Sequence, residues 1–295
     1  MGFSATAAGQ PPWHLSGDAD GRWPLLLTSP HSGRYYPPAL LAATQLPLLQ
    51  LRRAEDAFVD ALLDGIAGVP VMAATHARCW IDLNRRPDEL DAAMFDAPLP
   101  VPAVPTERVA AGLGVIPRLA GQGLEIYARQ LPAAEAAARL ASLHVPWHAK
   151  AASILNAARR RQGAALLIDC HSMPSPAGPR PPQIVLGDCH GRSAHPAIMQ
   201  AIEDHFRNCG WRVARNAPYA GGFTTWHHGQ PGTGIHAVQI EIDRALYLDD
   251  HRLALHAGAA RVRTALTALV QQLVADWPRL SSAPPGAGSW AEAAE

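Results

Sequence analysis

Five short, nearly continuous apolar segments, separated by helical stretches, constrain the fold of this chain more than any other feature. In chain order they read PLLLTSP, PVMAATHA, ALLIDCHS, PQIVLGD and AVQIEIDR. A strand with one solvated face alternates apolar and polar residues, whereas a strand covered on both faces is apolar throughout. The pattern therefore predicts strands that are buried between helices.

The stretches between these segments have helical character. They are Leu51–Ala67, with apolar residues at helical spacing; Ala133–Arg161, which Pro146 breaks or restarts; Ser193–Cys209, which begins at a serine cap and ends before Gly210; and Asp250–Trp277, which is long and amphipathic. Alternating strands and helices predict an α/β protein, a single three-layer α/β/α domain around a mixed, largely parallel sheet. We expect a polar leader at residues 1–22, the domain at residues 23–278 and a disordered tail at residues 279–295.

Charge and composition narrow the choice of partners. The chain has 25 basic and 25 acidic residues and no long run of either sign, which argues against a surface for nucleic acid or anionic membrane. No stretch of roughly 18 apolar residues could span a membrane, and the N-terminus lacks the pattern of a signal peptide. The four cysteines form no CxxC pair, which favours reduced thiols. We predict a cytoplasmic protein that acts on a small molecule, and its oligomeric state stays open.

Two of the apolar segments end in the same way, with a histidine, a serine and a turn. LLLTSPHSG contains His31 and LLIDCHSMP contains His171. Strand ends in an open α/β sheet line the ligand crevice, so we expect the two imidazoles to converge there. Imidazole is a common zinc ligand, and a catalytic zinc site usually has three protein ligands and one position for water. The pattern indicates a metal site with both histidines as ligands.

Carboxylates supply the other expected parts of such a site. In AEDAFVDALLDG, Asp56 and Asp60 are one turn apart on the predicted helix, and Asp56 can most easily point toward the strand ends. The alternative is that these acids are solvated or cap the helix. VQIEIDR places Glu241 between two isoleucines, where an ionised carboxylate is costly without a partner. We interpret Glu241 as a general base, the alternative being that it lies on a polar face of its strand.

Cationic and amide side chains follow the second apolar segment, in HARCWIDLNRRPDEL. Arg78, Asn84, Arg85 and Arg86 offer donors for a carboxylate or a developing oxyanion. The alternative is that the arginines form ion pairs at the surface. Because the cations are local and the net charge is zero, a small acidic molecule suits them better than a polymer.

With these residues identified, the sequence resembles the N-formylglutamate amidohydrolase family from about Pro24 to Asp250. The blocks that carry the resemblance, in the family's order, are SPHSGRYYP, DAFVDALLDG, DLNRRPDEL, LLIDCHSMPS, IVLGDCHGRS and NAPYAGGFTTWHHGQPGTGIHAVQIEIDRALYLDD. The family is similar in fold to zinc carboxypeptidases and aspartoacylase-type deacylases. The resemblance implies a zinc-dependent amidohydrolase that cleaves the amide of an N-acylated acidic amino acid. In the named case N-formyl-L-glutamate yields formate and glutamate, in histidine degradation.

The resemblance also implies a role for each candidate residue. The positions that match the two histidine ligands, the base and the Asn-Arg pair for a substrate carboxylate are His31, His171, Glu241, Asn84 and Arg85. Arg78 resembles the oxyanion arginine by spacing alone. Relatives with a His-x-x-Glu pattern have their acidic ligand where this chain has Arg34. The acidic ligand must then come from elsewhere in the chain, and we take Asp56 as the candidate.

The stretch YAGGFTTWHHGQPG resembles the family's substrate loop, and its glycines suit a loop that closes over a small ligand. The candidates there to contact substrate are Thr224, Thr225, His227 and His228. The chain departs from the family at Trp226 and His227, which could shift substrate choice. We expect His148 and His190 to serve the structure.

Three alternatives stay open from the sequence. The first is a deacylase for another N-acylamino acid or a small peptide, and the second is a non-catalytic binding protein of the same fold. The third, a Cys170 nucleophile beside His171, is disfavoured because neighbours on a strand point to opposite faces. Histidine and carboxylate ligands also accept iron, cobalt or manganese.

Overall fold

The structure is a computed structural model that describes residues 10–282. Within this range the strands are β1 (Trp13–Ser16), β2 (Leu25–Ser29), β3 (Val71–Ala74), β4 (Ala165–Met173), β5 (Ile184–Gly187), β6 (Val213–Arg215), β7 (Ile235–Asp243), β8 (Leu248–Asp249) and β9 (Ala254–Leu255). The α-helices are α1 (Pro38–Ala43), α2 (Leu48–Leu51), α3 (Val59–Leu63), α4 (Glu107–Ala110), α5 (Ala133–Arg139), α6 (Val145–Gln162), α7 (Pro196–Asn208), α8 (Phe223–His228) and α9 (Gly258–Ser281). Within residues 10–282, none of these helices combines the length and the apolar character that crossing a membrane requires.

A seven-stranded sheet has the order β1-β3-β2-β4-β7-β5-β6, and β8 and β9 form a separate hairpin. β2 is parallel to β4 and β4 to β7, whereas β5 is antiparallel to β7 and parallel to β6. This confirms the predicted α/β class with a mixed, largely parallel sheet. All five apolar segments form strands of it. β1 lies within the predicted leader, and β6 is too short to stand out in the sequence.

One compact unit comprises Ser16–Thr28, Phe58–Val71 and the described residues from Ala152 onward. Its core contains β4 and β5, in which every residue is buried, and β7, which is buried except at Ile235. α7 packs against β5, β6 and α9, and α9 also packs against α3. Strands that are apolar along their length are thus interior, as their composition predicts.

The other compact unit comprises the described residues up to Leu15, Ser29–Ala57 and Met72–Ala151. It contains α1, α2, α4, α5 and the first part of α6, joined by long connecting segments. The buried guanidinium of Arg139 lies 3.4 Å from the centroid of the Trp80 ring and donates to the Trp80 carbonyl (3.1 Å). A cation over an aromatic face stabilises this unit while keeping its charge.

The region predicted as one helix, Leu51–Ala67, is instead two short helices separated by non-helical backbone. Phe58, just before α3, has a left-handed φ of 63°. The interruption has a tertiary cause, because the Asp56 amide donates to the carbonyl of His31 (3.0 Å) and not to its own preceding turn. Asp56 therefore precedes α3, and the prediction that it shares a helical face with Asp60 is wrong.

Other helix boundaries also differ from the prediction. α5 and α6 are continuous through a π-helical turn at Leu140–His144, next to Pro146. The wider turn accommodates a proline, which has no N–H and whose ring crowds the preceding turn. α7 is capped by the His195 side chain and not by a serine, and α9 begins later because the β8–β9 hairpin occupies the first part of the predicted helix. Residues 1–9 of the predicted leader and 283–295 of the predicted tail lie outside the described residues.

The turn that follows β2 depends on a close approach of two backbones. Pro30 cannot donate to a strand ladder and ends β2. A Cβ on Gly33 would lie 2.1 Å from the carbonyl oxygen of His76, so only glycine fits there. The Tyr35 amide then donates to the Thr75 carbonyl (2.9 Å), which joins the turn to the residues after β3.

Replacing Gly33 with alanine should therefore lower the free energy of unfolding by about 1–3 kcal/mol, the usual cost of overpacking. Urea denaturation of the Gly33→Ala variant measures this change. A Cβ on Gly232 would have no atom within 4 Å, so Gly232→Ala is the matched control and should unfold close to the wild type. Equal stability of the two variants would contradict the close approach.

Candidate metal centre

Three buried side chains, His31, Asp56 and His171, each offer one ligand atom, and these atoms lie within 4.8 Å of one another. Each of the three residues is only 2 % exposed. Two imidazoles and a carboxylate are a donor set used by catalytic zinc and by other divalent transition metals. The structure thus brings together the three residues that the sequence predicts as metal ligands.

His31 and Asp56 are joined through their backbones. The Asp56 amide donates to the His31 carbonyl (3.0 Å), and the Ser32 hydroxyl donates to the Asp56 carbonyl (3.2 Å). Buried backbone groups that are paired in this way hold their segments in one conformation. The two side chains are therefore fixed relative to each other although they lie far apart in the sequence.

Each ring nitrogen of His31 faces a carboxylate. Nε2 lies 2.7 Å from Asp82 Oδ1, and Nδ1 lies 3.2 Å from Asp56 Oδ2. A neutral imidazole has one N–H, so it donates to one carboxylate and presents a lone pair to the other. A cation between Nδ1 and Asp56 removes that repulsion, and two ligands of a tetrahedral zinc ion lie roughly 3.3 Å apart. The donor set and its spacing fit a divalent metal.

Asp82 belongs to the site but is not among the predicted residues. Besides the contact with His31, its carboxylate accepts hydrogen bonds from Arg78 Nε (2.9 Å) and from the backbone N–H of Asn84 (2.9 Å). Burial would raise the pKa of Asp82, but the charges of Arg78, His31 and Arg85 outweigh that effect and hold the pKa well below its usual range. An ionised Asp82 favours the ring proton of His31 on Nε2, which leaves Nδ1 available to a metal.

His171 has a similar arrangement on β4. Its Nε2 lies 2.8 Å from Asp169 Oδ2, and the Thr28 hydroxyl donates to Asp169 Oδ1 (2.6 Å). An ionised carboxylate only accepts, so a neutral His171 carries its proton on Nε2 and its lone pair on Nδ1. In both histidines, therefore, Nε2 faces a carboxylate and Nδ1 is left available to a metal.

Glu241 lies directly opposite His171, because β4 and β7 are parallel with these two residues in register. Side chains in register on neighbouring strands project from the same face of a sheet. Gln239 Nε2 donates to Glu241 Oε1 (2.7 Å), and Gln239 Oε1 accepts from the Gly222 amide (2.9 Å). One side chain thus orients the candidate base and holds the residue that precedes α8.

The glycine-rich stretch forms a turn followed by α8, which packs against β4 and β7. The side chains of Thr224, Thr225 and His228 are buried. Burial lowers the pKa of His228 to about 4, with His227 adding to the decrease and Asp169 opposing it, so the imidazole is neutral near pH 7. The Thr225 hydroxyl is buried and has no hydrogen-bond partner within residues 10–282.

The segment that carries Asn84 and Arg85 is held by its backbone carbonyls. Tyr127 donates to the Cys79 carbonyl and Arg139 to the Trp80 carbonyl. His148 donates to the Leu83 carbonyl and His144 to the Arg85 carbonyl. Arg85 donates from Nε to the Leu113 carbonyl (3.0 Å) and from Nη1 to the Asn84 carbonyl (3.0 Å). Burial lowers the pKa of Arg85 and Asp82 opposes this, and the guanidinium stays charged at neutral pH.

Three residues of the site are missing from the prediction: Asp82, Asp169 and Gln239. Asp169 and Gln239 stand two positions before His171 and Glu241, and alternation along a strand places such pairs on one face. This spacing of two residues is therefore a sequence pattern from which Asp169 and Gln239 could be predicted. Asp82 meets His31 across 51 residues of chain, and no local pattern indicates the contact.

Cys170 lacks the properties of a nucleophile. Burial, and to a smaller extent Asp169, raises the pKa of its thiol. A reactive cysteine needs a lowered pKa and access to solvent, so this finding disfavours a cysteine mechanism. The four cysteines are all free thiols.

The sequence is similar to that of known N-formylglutamate deformylases. The family model described as N-formylglutamate amidohydrolase matches residues 23–248. The N-formylglutamate deformylase of Pseudomonas aeruginosa is 32% identical over 266 residues, covering 86% of this chain and 92% of the relative. That of Pseudomonas putida is 30% identical over 242 residues, covering 78% of this chain and 84% of the relative.

A solved structure extends the comparison to the fold. The N-formylglutamate amidohydrolase from Ralstonia eutropha JMP134 superposes with a TM-score of 0.85 at 32% identity, covering 92% of this chain and 99% of the other. The family model, the curated relatives and this structure agree with the resemblance seen in the sequence blocks. The chain belongs to the N-formylglutamate amidohydrolase family.

Proposed function

We propose that this protein is a metal-dependent amidohydrolase that converts N-formyl-L-glutamate and water to formate and L-glutamate. The observation that carries the proposal is the buried triad of His31, Asp56 and His171, with Glu241 in register beside His171. Membership of the family supports the substrate, since the curated relatives are N-formylglutamate deformylases. The free cysteines support the cytoplasm as the compartment.

The three buried residues hold the metal, and zinc suits two imidazoles and a carboxylate with a position left for water. When bound, such an ion supplies Lewis acidity and lowers the pKa of water in the site. Asp82 and Asp169 hold the second ring nitrogens of the two histidines. The same donors accept other divalent transition metals.

Glu241 acts first as general base and then as general acid. Its carboxylate takes a proton from the attacking water as the new C–O bond forms at the formyl carbon. When the C–N bond breaks, Glu241 returns the proton to the departing nitrogen, and formate and glutamate leave. The hydrogen bond from Gln239 keeps the carboxylate in one orientation during both transfers.

The residues that bind the substrate's carboxylates lie in the segment around Asp82. Asn84 and Arg85 bind carboxylate oxygens of the glutamate, and the Arg85 Nη2 group has no hydrogen-bond partner within residues 10–282. Arg78, whose Nε is held by Asp82, stabilises the oxyanion. On α8, the buried Thr224, Thr225 and His228 are proposed to contact the substrate.

A second substrate class shares this chemistry, namely another N-acylamino acid or a small peptide. Trp226 and His227 favour it, because they depart from the family's substrate loop and Trp226 is 53 % exposed. A binding protein without turnover is disfavoured, because His31, His171 and Glu241 are all present.

Substitution of the base should separate catalysis from metal binding. Glu241→Gln keeps the size of the side chain but cannot accept the proton, so we expect kcat to fall by about 10²–10⁴-fold with metal content nearly unchanged. Formate release and metal analysis measure the two effects. Glu203→Gln is the matched control, because Glu203 is also buried but is paired with Arg207 and Arg215. Near-normal turnover of Glu241→Gln would show that another group is the base.

Metal removal should abolish formate release, and added Zn²⁺ should restore it. His171→Ala should purify with little metal, because one of three ligands is lost. His205→Asn is the control, since His205 is also buried but bonds to Gln272 and to the Ala265 carbonyl. Full activity in a protein that holds no divalent metal would overturn this part of the proposal.

Loss of the Arg85 charge should weaken substrate binding. A hydrogen bond to a charged group contributes about 1.5–3 kcal/mol, so Arg85→Met should raise KM for N-formyl-L-glutamate by roughly 10–100-fold. Arg86→Met is the neighbouring control, because Arg86 is exposed and pairs with Asp88. Assays with N-acetyl-L-glutamate and N-formyl-L-aspartate test the substrate itself, and faster cleavage of either compound would favour the second substrate class.

A further inference from the structure

We propose that Asp169 is a positioning residue that sets the metal affinity of the site. It holds His171 in the tautomer and orientation required of a ligand, and its buried charge favours a cation on the other ring nitrogen. This inference rests on the metal site proposed above. It concerns a carboxylate that is not one of the three candidate ligands.

The geometry of the pair is well defined. Asp169 Oδ2 lies 2.8 Å from His171 Nε2, and Asp169 Oδ1 accepts from the Thr28 hydroxyl at 2.6 Å. Thr28 and Asp169 are in register on the parallel strands β2 and β4. Because both carboxylate oxygens are hydrogen-bonded to groups on central strands, Asp169 cannot rotate without breaking one of these bonds.

Among the residues that the structure describes, no arginine or lysine balances the charge of Asp169. The residue is fully buried, and within residues 10–282 no arginine or lysine forms an ion pair with it. Asp82, by comparison, is paired with Arg78. A buried carboxylate is costly without a compensating positive charge.

A divalent ion held by His31, Asp56 and His171 would compensate this charge and would leave the proton of His171 on Nε2. A carboxylate on the second nitrogen of a metal-bound histidine also raises the basicity of the ligand. The arrangement therefore favours the metal-bound state over the empty one. A residue that served only to fill the core would have no such preference.

The test is the affinity of the full-length protein for Zn²⁺, measured by competition with a chelator of known affinity. Asp169→Asn keeps the shape and can still accept from Nε2, but it removes the charge. We expect its Zn²⁺ affinity to fall by about 10–100-fold, the usual effect of losing such a partner. The increase in Tm caused by Zn²⁺ should shrink accordingly, since stabilisation by a ligand follows its affinity.

Two further variants separate this role from general packing. Thr28→Val removes one hydrogen bond to Asp169 but leaves the charge, so we expect a smaller loss of Zn²⁺ affinity. Asp188→Asn is the control, because Asp188 is also buried but bonds to Asn216 and to the Gly191 amide. Its Zn²⁺ affinity should equal that of the wild type whatever its stability.

The outcomes are distinguishable. If the wild type binds no Zn²⁺, the proposed metal site itself fails. If the wild type binds Zn²⁺ and Asp169→Asn binds it equally well, the metal site stands and the role of Asp169 is overturned. Equal losses of affinity in Asp169→Asn and Asp188→Asn would assign the effect to packing and would also overturn the proposal.

Discussion

The parallel register of β4 and β7 is the constraint on which the candidate site depends. It pairs Asp169 with Gln239 and His171 with Glu241. Because side chains alternate along a strand, these four residues project from one face of two neighbouring strands. One set of backbone hydrogen bonds thus places a candidate metal ligand, the carboxylate that contacts it, the candidate base and the amide that donates to that base. Buried strands are a more rigid support for such groups than loops are.

Burying so many polar groups is costly unless each has a partner. The structure meets this requirement in short chains of hydrogen bonds, such as Thr28 to Asp169 to His171 and Gly222 to Gln239 to Glu241. His31 is a different case, because a carboxylate lies at each of its two ring nitrogens. In the neutral ring one of these contacts joins two lone pairs, and either a second ring proton or a metal ion beside Nδ1 makes both contacts favourable.

Much of the site could be predicted because its signals are local. A histidine that follows an apolar strand, as His31 and His171 do, is visible in a few letters, and so is an isolated glutamate such as Glu241. For Asp56 the prediction is right about the residue and wrong about its element. It was expected on a helical face, but the structure pairs its backbone with that of His31 and places it before α3. Asp56 is thus part of the candidate metal cluster, as predicted, but it lies outside the helix in which it was predicted.

The sequence by itself determined the α/β class, the interior strands and the identity of the residues with metal-binding chemistry, because hydrophobic periodicity and residue type are local properties. Only the tertiary structure decided which carboxylates hold the histidines, where the helix at Leu51–Ala67 breaks, and which residues meet at the metal cluster. Those outcomes depend on contacts such as Asp82 with His31, formed across 51 residues. Such a contact is selected by the free energy of the whole fold, in which buried donors must find acceptors, and no short stretch of sequence contains that information.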